Sequence, residues 1–200
     1  VIDRMFMVVP TAVALVVVAV ACVFYRVRPS RTLLYLTLTA YAGGVIAVTL
    51  FPLPFEPAFA SMQTGGDSWA RGFNFVPFAV IVDTIEEAAA TGWWWTIAAT
   101  IVGGNVVMFV PLGAMLPMLS DKLHKLWKTA VALAACSVGI ELAQLVVGLG
   151  VAGYMYRVVD VDDVILNVVG GLIGYGLWRL AQAFRLRKLP SKWNSRDRSG

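Results

Sequence analysis

Apolar residues fall into blocks of about twenty, at 6–25, 32–53, 93–118, 129–149 and 161–184, separated by short polar or basic stretches. A block of that length crosses a hydrocarbon core of roughly 30 Å as an α-helix. The pattern therefore predicts five spanning helices. The long interval 54–92 breaks the rhythm. Pro52, Pro54 and Pro57 mark its start, Gly65, Gly66 and Asp67 follow, and an apolar run occupies 73–82. That run is too short to span, so an interfacial or re-entrant segment is expected there. Pro77 suits the first turn of a helix beginning at that point. Glu86 and Glu87 then lead into Trp93, Trp94 and Trp95, an aromatic anchor for a bilayer interface.

Composition agrees with the pattern. Of 200 residues, 59% are hydrophobic and 14% charged, with a mean hydropathy of +0.76; soluble domains carry about 25% charged residues. The expected architecture is all-α, a polytopic membrane helix bundle forming one domain over 1–200. The block 6–25 is too long for a cleaved signal peptide and lacks a basic leader. Cys22 and Cys136 both lie in apolar blocks and read as packing residues. His124 is the single histidine, which excludes paired-histidine mechanisms and Cys/His zinc sites. No Gly-rich phosphate loop or nucleotide-binding signature is present.

Charge adds an orientation. Thirteen of the 16 Lys and Arg lie between the first and second blocks, between the third and fourth, or at and after the end of the fifth. Nine of the 12 Asp and Glu lie on the opposite side. The excess of basic residues marks cytoplasmic loops, so the amino terminus is expected outside and the carboxyl terminus inside. The net charge of +4 is then a topology signal, and no nucleic-acid partner is expected. The basic tail 185–200 would lie against anionic lipid.

Polar residues inside the apolar blocks are where chemistry is expected, because an ionisable group in a membrane is costly unless paired, hydrated or metal-bound. Asp160, Asp163 and Asn167 share one helical face, while Asp162 points elsewhere, toward the loop. Capping of the helix amino terminus explains one acid, not three. An ion-binding or functional cluster competes with a structural polar network that includes Arg157. Glu141 and Gln144 share a face of the fourth block, with Glu141 roughly 18 Å along the helix. Asn105 lies in the third block, followed by Pro111, which should free a backbone carbonyl near Val107. Interhelical hydrogen bonding is the plain alternative for Glu141 and Asn105 alike. Gly43 and Gly44, Gly103 and Gly104, and Gly170, Gly171 and Gly174 are expected to bring helices close together within the bundle. A monomer is expected, a homodimer being the alternative.

Four runs occur in order: RGFNFVPF at 71–78, GNVVMFVPLG at 104–113, SVGIELAQ at 137–144 and RVVDVDDVILN at 157–167. Together they resemble the VanZ-like family, named for a teicoplanin-resistance protein, over residues 71–178. Tyr156 stands where many relatives have a glycine before the arginine. The resemblance implies a multi-pass protein of the bacterial plasma membrane, and a link in some members to glycopeptide or lipoglycopeptide resistance. It supplies no reaction.

Under the expected topology all these polar groups fall in the outer half. Polar groups in lipid turn toward one another, so one outward-opening polar pocket is expected. Its ligand-binding residues would be Arg71, Asn74, Asn105, Glu141, Gln144, Arg157, Asp160, Asp163 and Asn167. The favoured reading is a binding protein for a lipid-linked cell-envelope component, such as a cell-wall precursor, or for an amphiphilic glycopeptide-type antibiotic. It would contribute to resistance or envelope homeostasis, with membrane lipids as neighbours and Arg71 and Arg157 as anion contacts. A second is a metal-assisted enzyme on a lipid phosphate, with Asp160 and Asp163, helped by Glu141 and Asn167, holding Mg²⁺ or Ca²⁺ through hard oxygen ligands. A third is a small proton-coupled transporter with Glu141 as carrier. No other cofactor is expected. Against the enzyme stands the lack of a nucleophile or base beyond the carboxylates; against the transporter, the lack of an internal repeat.

Overall fold

A computed structural model describes residues 2–51, 73–152 and 159–187. Arg71, Arg157 and the basic tail beyond 187 lie outside the described residues. The chain enters through a single 3-10 turn, Arg4–Met7, into α1 (Val8–Phe24). It reverses at Arg26, which takes a positive φ of 50°, and Val27 N–H bonds back to the Cys22 carbonyl at 2.8 Å. Pro29 then opens α2 (Pro29–Leu50) at its first position, where no N–H is needed. The two helices form an antiparallel hairpin, with Gly43 packed against the Thr11 side chain.

Next come β1 (Phe73–Asn74), α3 (Ala79–Thr91), α4 (Trp94–Leu119), α5 (Leu126–Val147), β2 (Val159–Asp160) and α6 (Val161–Arg187). The strands pair in parallel, Phe73 beside Val159 and Asn74 beside Asp160. The expected interfacial run 73–82 is thus divided. Its start is a strand, Pro77 sits in a turn, and helix begins only at Ala79, after Phe78 in the left-handed region at φ 68°. The helix continues through Asp83, Glu86 and Glu87 to Thr91 and stops at Gly92, whose φ of 73° suits glycine.

Four stretches are long and apolar enough to cross a membrane: Arg4–Phe24, Pro29–Leu50, Leu126–Gly150 and Val161–Arg185. The helix over the third expected span, α4, has 26 residues, but its apolar part among the described residues is the shorter Gly103–Leu119. α4 is the centre of the bundle rather than a peripheral span. It packs along α6 through glycines on both helices. A Cβ on Gly113 would overlap the Gly171 backbone, one on Gly170 the Val106 carbonyl, and one on Gly174 the Val110 carbonyl. α5 closes the other side of α6, with Leu133 under Gly171 and in a core with Phe109 and Leu116.

Hydrogen bonds tie the helix ends together. At one end Arg31 Nη1 donates to the Met118 carbonyl at 2.6 Å, and Tyr175 donates to the His124 carbonyl at 2.7 Å. His124 is structural here: its Nε2 lies 3.0 Å from the Pro117 carbonyl and its ring lies tilted against Trp178. The two basic loops expected on one side, 26–31 and 120–128, both belong to this end. The acidic end carries the contacts between α2, α3, α4, α5 and α6 described below. Both cysteines are free, but only Cys22 is buried; Cys136 is exposed on the bundle surface, so a packing role holds for Cys22 alone.

Candidate functional site

The strand pair is what brings the distant segments together. By setting Asn74 beside Asp160 it lets Asn74 Nδ2 donate to Asp160 Oδ1 at 2.9 Å. Asp160 immediately precedes α6, and the same Oδ1 accepts from Asp162 N–H at 2.9 Å. This is an N-cap, the plain reading of that acid. Burial pushes the Asp160 carboxyl above the usual range; the Asp162 N–H and the Asn74 amide pull against that, and the Asp162 charge reinforces it. The Asp160 N–H in turn points at Glu141 Oε2, 3.4 Å away. Glu141 therefore lies against the start of α6, as the need to pair an intramembrane acid requires.

Asp162 was expected to turn toward its own loop. It leaves the shared face, but it is 1% exposed and caps another helix. Its Oδ1 accepts from Phe78 N–H at 2.5 Å, and its Oδ2 from Val80 and Ile81 N–H at 3.0 and 3.4 Å. These are the orphan donors of the α3 amino terminus, where a carboxylate is electrostatically favoured. Phe78 at the N-cap cannot supply that acceptor itself. No local signal in 160–163 marks this partner, because it lies more than 80 residues earlier.

Two of the three acids are thus caps. Asp163 remains, and it accepts a short hydrogen bond from Asn105 Nδ2 on α4. One turn further along α6, Asn167 Nδ2 donates to Ser137 Oγ on α5 at 2.9 Å, while Asn167 Oδ1 is buried without a hydrogen-bond partner. Gln144 Nε2 donates to the Thr49 carbonyl of α2 at 3.0 Å. Tyr41 Oη donates to the Met108 carbonyl at 2.7 Å, one residue beyond the carbonyl that Pro111 was expected to free.

These groups border an open cleft of about 820 Å³ between α2, α4, α5 and α6. Its polar lining comes from Tyr41, Thr49, Asn105, Glu141, Gln144, Asp163 and Asn167, and its apolar lining from Val45, Val48, Val107, Met108, Pro111 and Ile140. Gly44, Gly103 and Gly104 also line it, and a Cβ on any of them would meet nothing within 4 Å. The expectation that Gly44, Gly103 and Gly104 bring helices together is therefore wrong for these three; they leave space instead.

Of the nine expected ligand residues, five line the cleft. Asn74 and Asp160 lie behind it, as supports of the α6 start. Arg71 and Arg157 lie outside the described residues. The acids expected to share a metal ion have separate tasks, Asp160 in capping and Asp163 in pairing with Asn105. Among the described residues no three His, Cys, Asp or Glu side chains gather so as to hold a metal ion.

The α2 wall was not anticipated. Its signal is the spacing of Tyr41, Gly44 or Val45, and Val48 or Thr49 on one helical face. Ser137 was visible only as part of the run ending in Glu141 and Gln144.

A family model described as VanZ/LLP1 matches residues 38–182. The match begins in α2 and ends within α6, so it takes in every wall of the cleft and extends the 71–178 resemblance upstream. No curated protein and no solved structure matches.

Proposed function

The chain belongs to the VanZ/LLP1 family, and from that premise we propose that it binds an amphiphile, a lipid-linked cell-envelope component or a glycopeptide-type antibiotic, in the cleft between α2, α4, α5 and α6. The observation that carries this reading is the shape and chemistry of the cleft. Its about 820 Å³ falls within the range of small-molecule sites, and its lining joins apolar side chains to a set of polar groups. An amphiphile matches both parts at once. Binding in the plasma membrane of a bacterium, with the acidic end outward, would place the site beside the cell wall and link it to glycopeptide resistance.

Lipid mass spectrometry of the purified protein tests the reading. Gly104→Leu adds a side chain where a Cβ meets nothing, so it should fill the cleft without disturbing the fold. A co-purifying amphiphile present in the native protein and lost from this variant, at equal expression and melting temperature, is the expected result. Equal lipid content in both would end the proposal. Orientation is checked separately: in a background with Cys22 and Cys136 replaced, a cysteine at Lys125 should resist an impermeant reagent in intact cells.

A further inference from the structure

The residues that line the cleft sort by exposure. The exposed ones are Gly44 and Val48 on α2 and Gly104, Val107 and Pro111 on α4, and none has a polar side chain. The buried ones are Thr49, Glu141, Gln144 and Asn167, and all are polar. An exposed lining residue stands at the mouth of a cleft and a buried one at its back. This cleft therefore has an apolar mouth and a polar back.

Hydrogen bonds fix where the mouth lies. α2 and α4 run antiparallel, Arg31 reaching the Met118 carbonyl and Tyr41 the Met108 carbonyl. At Thr49, about 12 Å beyond Tyr41 along α2, the partner is Gln144 of α5. α2 thus passes from α4 to α5. Gly44 and Val48 lie between the two ties and form one lip. Gly104, Val107 and Pro111 share one face of α4 and form the other. The mouth is a slit along the helices.

Its level in the membrane follows from the same residues. Gly44 and Val48 belong to the spanning stretch Pro29–Leu50, and Gly104, Val107 and Pro111 to the apolar stretch Gly103–Leu119. Val107 is 67% exposed and Val48 53%. Apolar side chains exposed within such stretches face lipid tails. Lipid tails are as apolar as these lips, so a chain can pass from bilayer to cleft without entering water. A polar group carried with it leaves hydrocarbon, where it is unpaired, for a lining that can bond it.

We infer that the cleft is entered sideways, from the hydrocarbon of the bilayer, through the slit between α2 and α4, and that its ligand is a membrane-resident lipid rather than an amphiphile delivered from water. This rests on the amphiphile-binding reading and narrows its ligand class.

Photolabelling separates the two claims. The full-length protein in phosphatidylcholine nanodiscs is irradiated with either of two probes, and the labelled residues are mapped by mass spectrometry. One probe is hexadecanol with a diazirine in its chain, which stays in the bilayer. The other is a water-soluble diazirine sulfonate. Val45 and Asp163 line the cleft and are half-buried. Val131, exposed on α5 away from the cleft, reports lipid contact, and exposed Lys125 reports water. Hexadecanol should label Val45 and Asp163 as well as Val131, and the sulfonate only Lys125 among these four. In the double variant Val48→Trp and Val107→Trp, which narrows the slit from both lips, hexadecanol labelling of Val45 and Asp163 should be lost while that of Val131 stays.

Labelling of Val45 and Asp163 by the sulfonate would show a mouth open to water. It would overturn sideways entry and leave amphiphile binding standing. Hexadecanol labelling of the two that persists in the double variant would place the entrance elsewhere, with the same consequence. Labelling of Val131 without either cleft residue in the native protein would overturn both claims. Should the double variant fail to fold, Val107→Phe alone replaces it, with the same expectation.

Discussion

The seam between α4 and α6 and the cleft between α2 and α4 use the same residue in opposite ways. In the seam, Gly113, Gly170 and Gly174 leave no room for a methyl group, because backbone of the facing helix occupies the place of a Cβ. In the cleft, Gly44, Gly103 and Gly104 face nothing within 4 Å. Gly113 and Gly104 lie on the same helix, nine residues apart in number. In the bilayer, where lipid is as apolar as a helix surface, close backbone approach is a main source of helix association. The seam holds the bundle together, and the cleft is space that the seam keeps from closing.

The largest effects should come from filling the seam. Gly174→Leu would drive a side chain into the Val110 carbonyl. Overpacking typically costs about 1–3 kcal/mol and more where backbone must move, so the variant should express poorly or melt far below the native protein. Gly103→Leu, by contrast, should express normally. If both glycines behave alike, the contrast between seam and cleft is wrong.

Next is the cap from α6 to α3. Asp162→Ala removes the acceptor for the Phe78, Val80 and Ile81 N–H groups, and leaving buried donors unmade costs about 1–3 kcal/mol per group. Hydrogen exchange should show the first turn of α3 losing protection before the α4–α6 contact does. Protection unchanged at residues 78–81 would mean the cap is idle.

Glu141→Gln and Asp163→Asn should fall lower on the stability scale. Each keeps size and hydrogen-bonding capacity and removes charge, and a buried charge has a desolvation cost that its loss relieves. Melting temperatures should change little, while any resistance or envelope phenotype of expressing cells is lost. A phenotype that survives both substitutions at normal expression would detach these residues from function.

The smallest effect concerns Asp160. Its folded carboxyl is raised above the ordinary value, so the folded state holds its proton to higher pH than the unfolded chain does. Its contribution is therefore most favourable below the unfolded value, and stability falls as pH rises through the window up to the folded value. Asp160→Asn can keep the acceptor for Asn74 and Asp162 N–H and should flatten that slope. A melting curve across acidic pH that is identical in both proteins would deny the shift.

Much of the fold was legible in the chain. Apolar blocks longer than a bilayer is thick can become little else than helices, and alternation of basic and acidic connections follows from helices that turn back on each other. The positions of Asn105, Glu141, Gln144, Asp163 and Asn167 were legible too, because polar groups in apolar blocks must find each other. Their individual tasks were not. Asp160, Asp162 and Asp163 are near neighbours in sequence and chemically alike, yet they cap α6, cap α3 and pair with Asn105 respectively.

What the sequence determined by itself is the periodic and compositional content: the helices, their apolar character and the set of polar side chains forced inward. What only the tertiary structure decided is which glycine packs and which opens space, which acid caps which helix, and that α2 forms a wall of the cleft. The reason is range. Helix formation depends on residues three or four apart. The pairing of Asn74 with Asp160, of Asp162 with the start of α3, and of Gly174 with Val110 depends on segments that meet only once the bundle has formed.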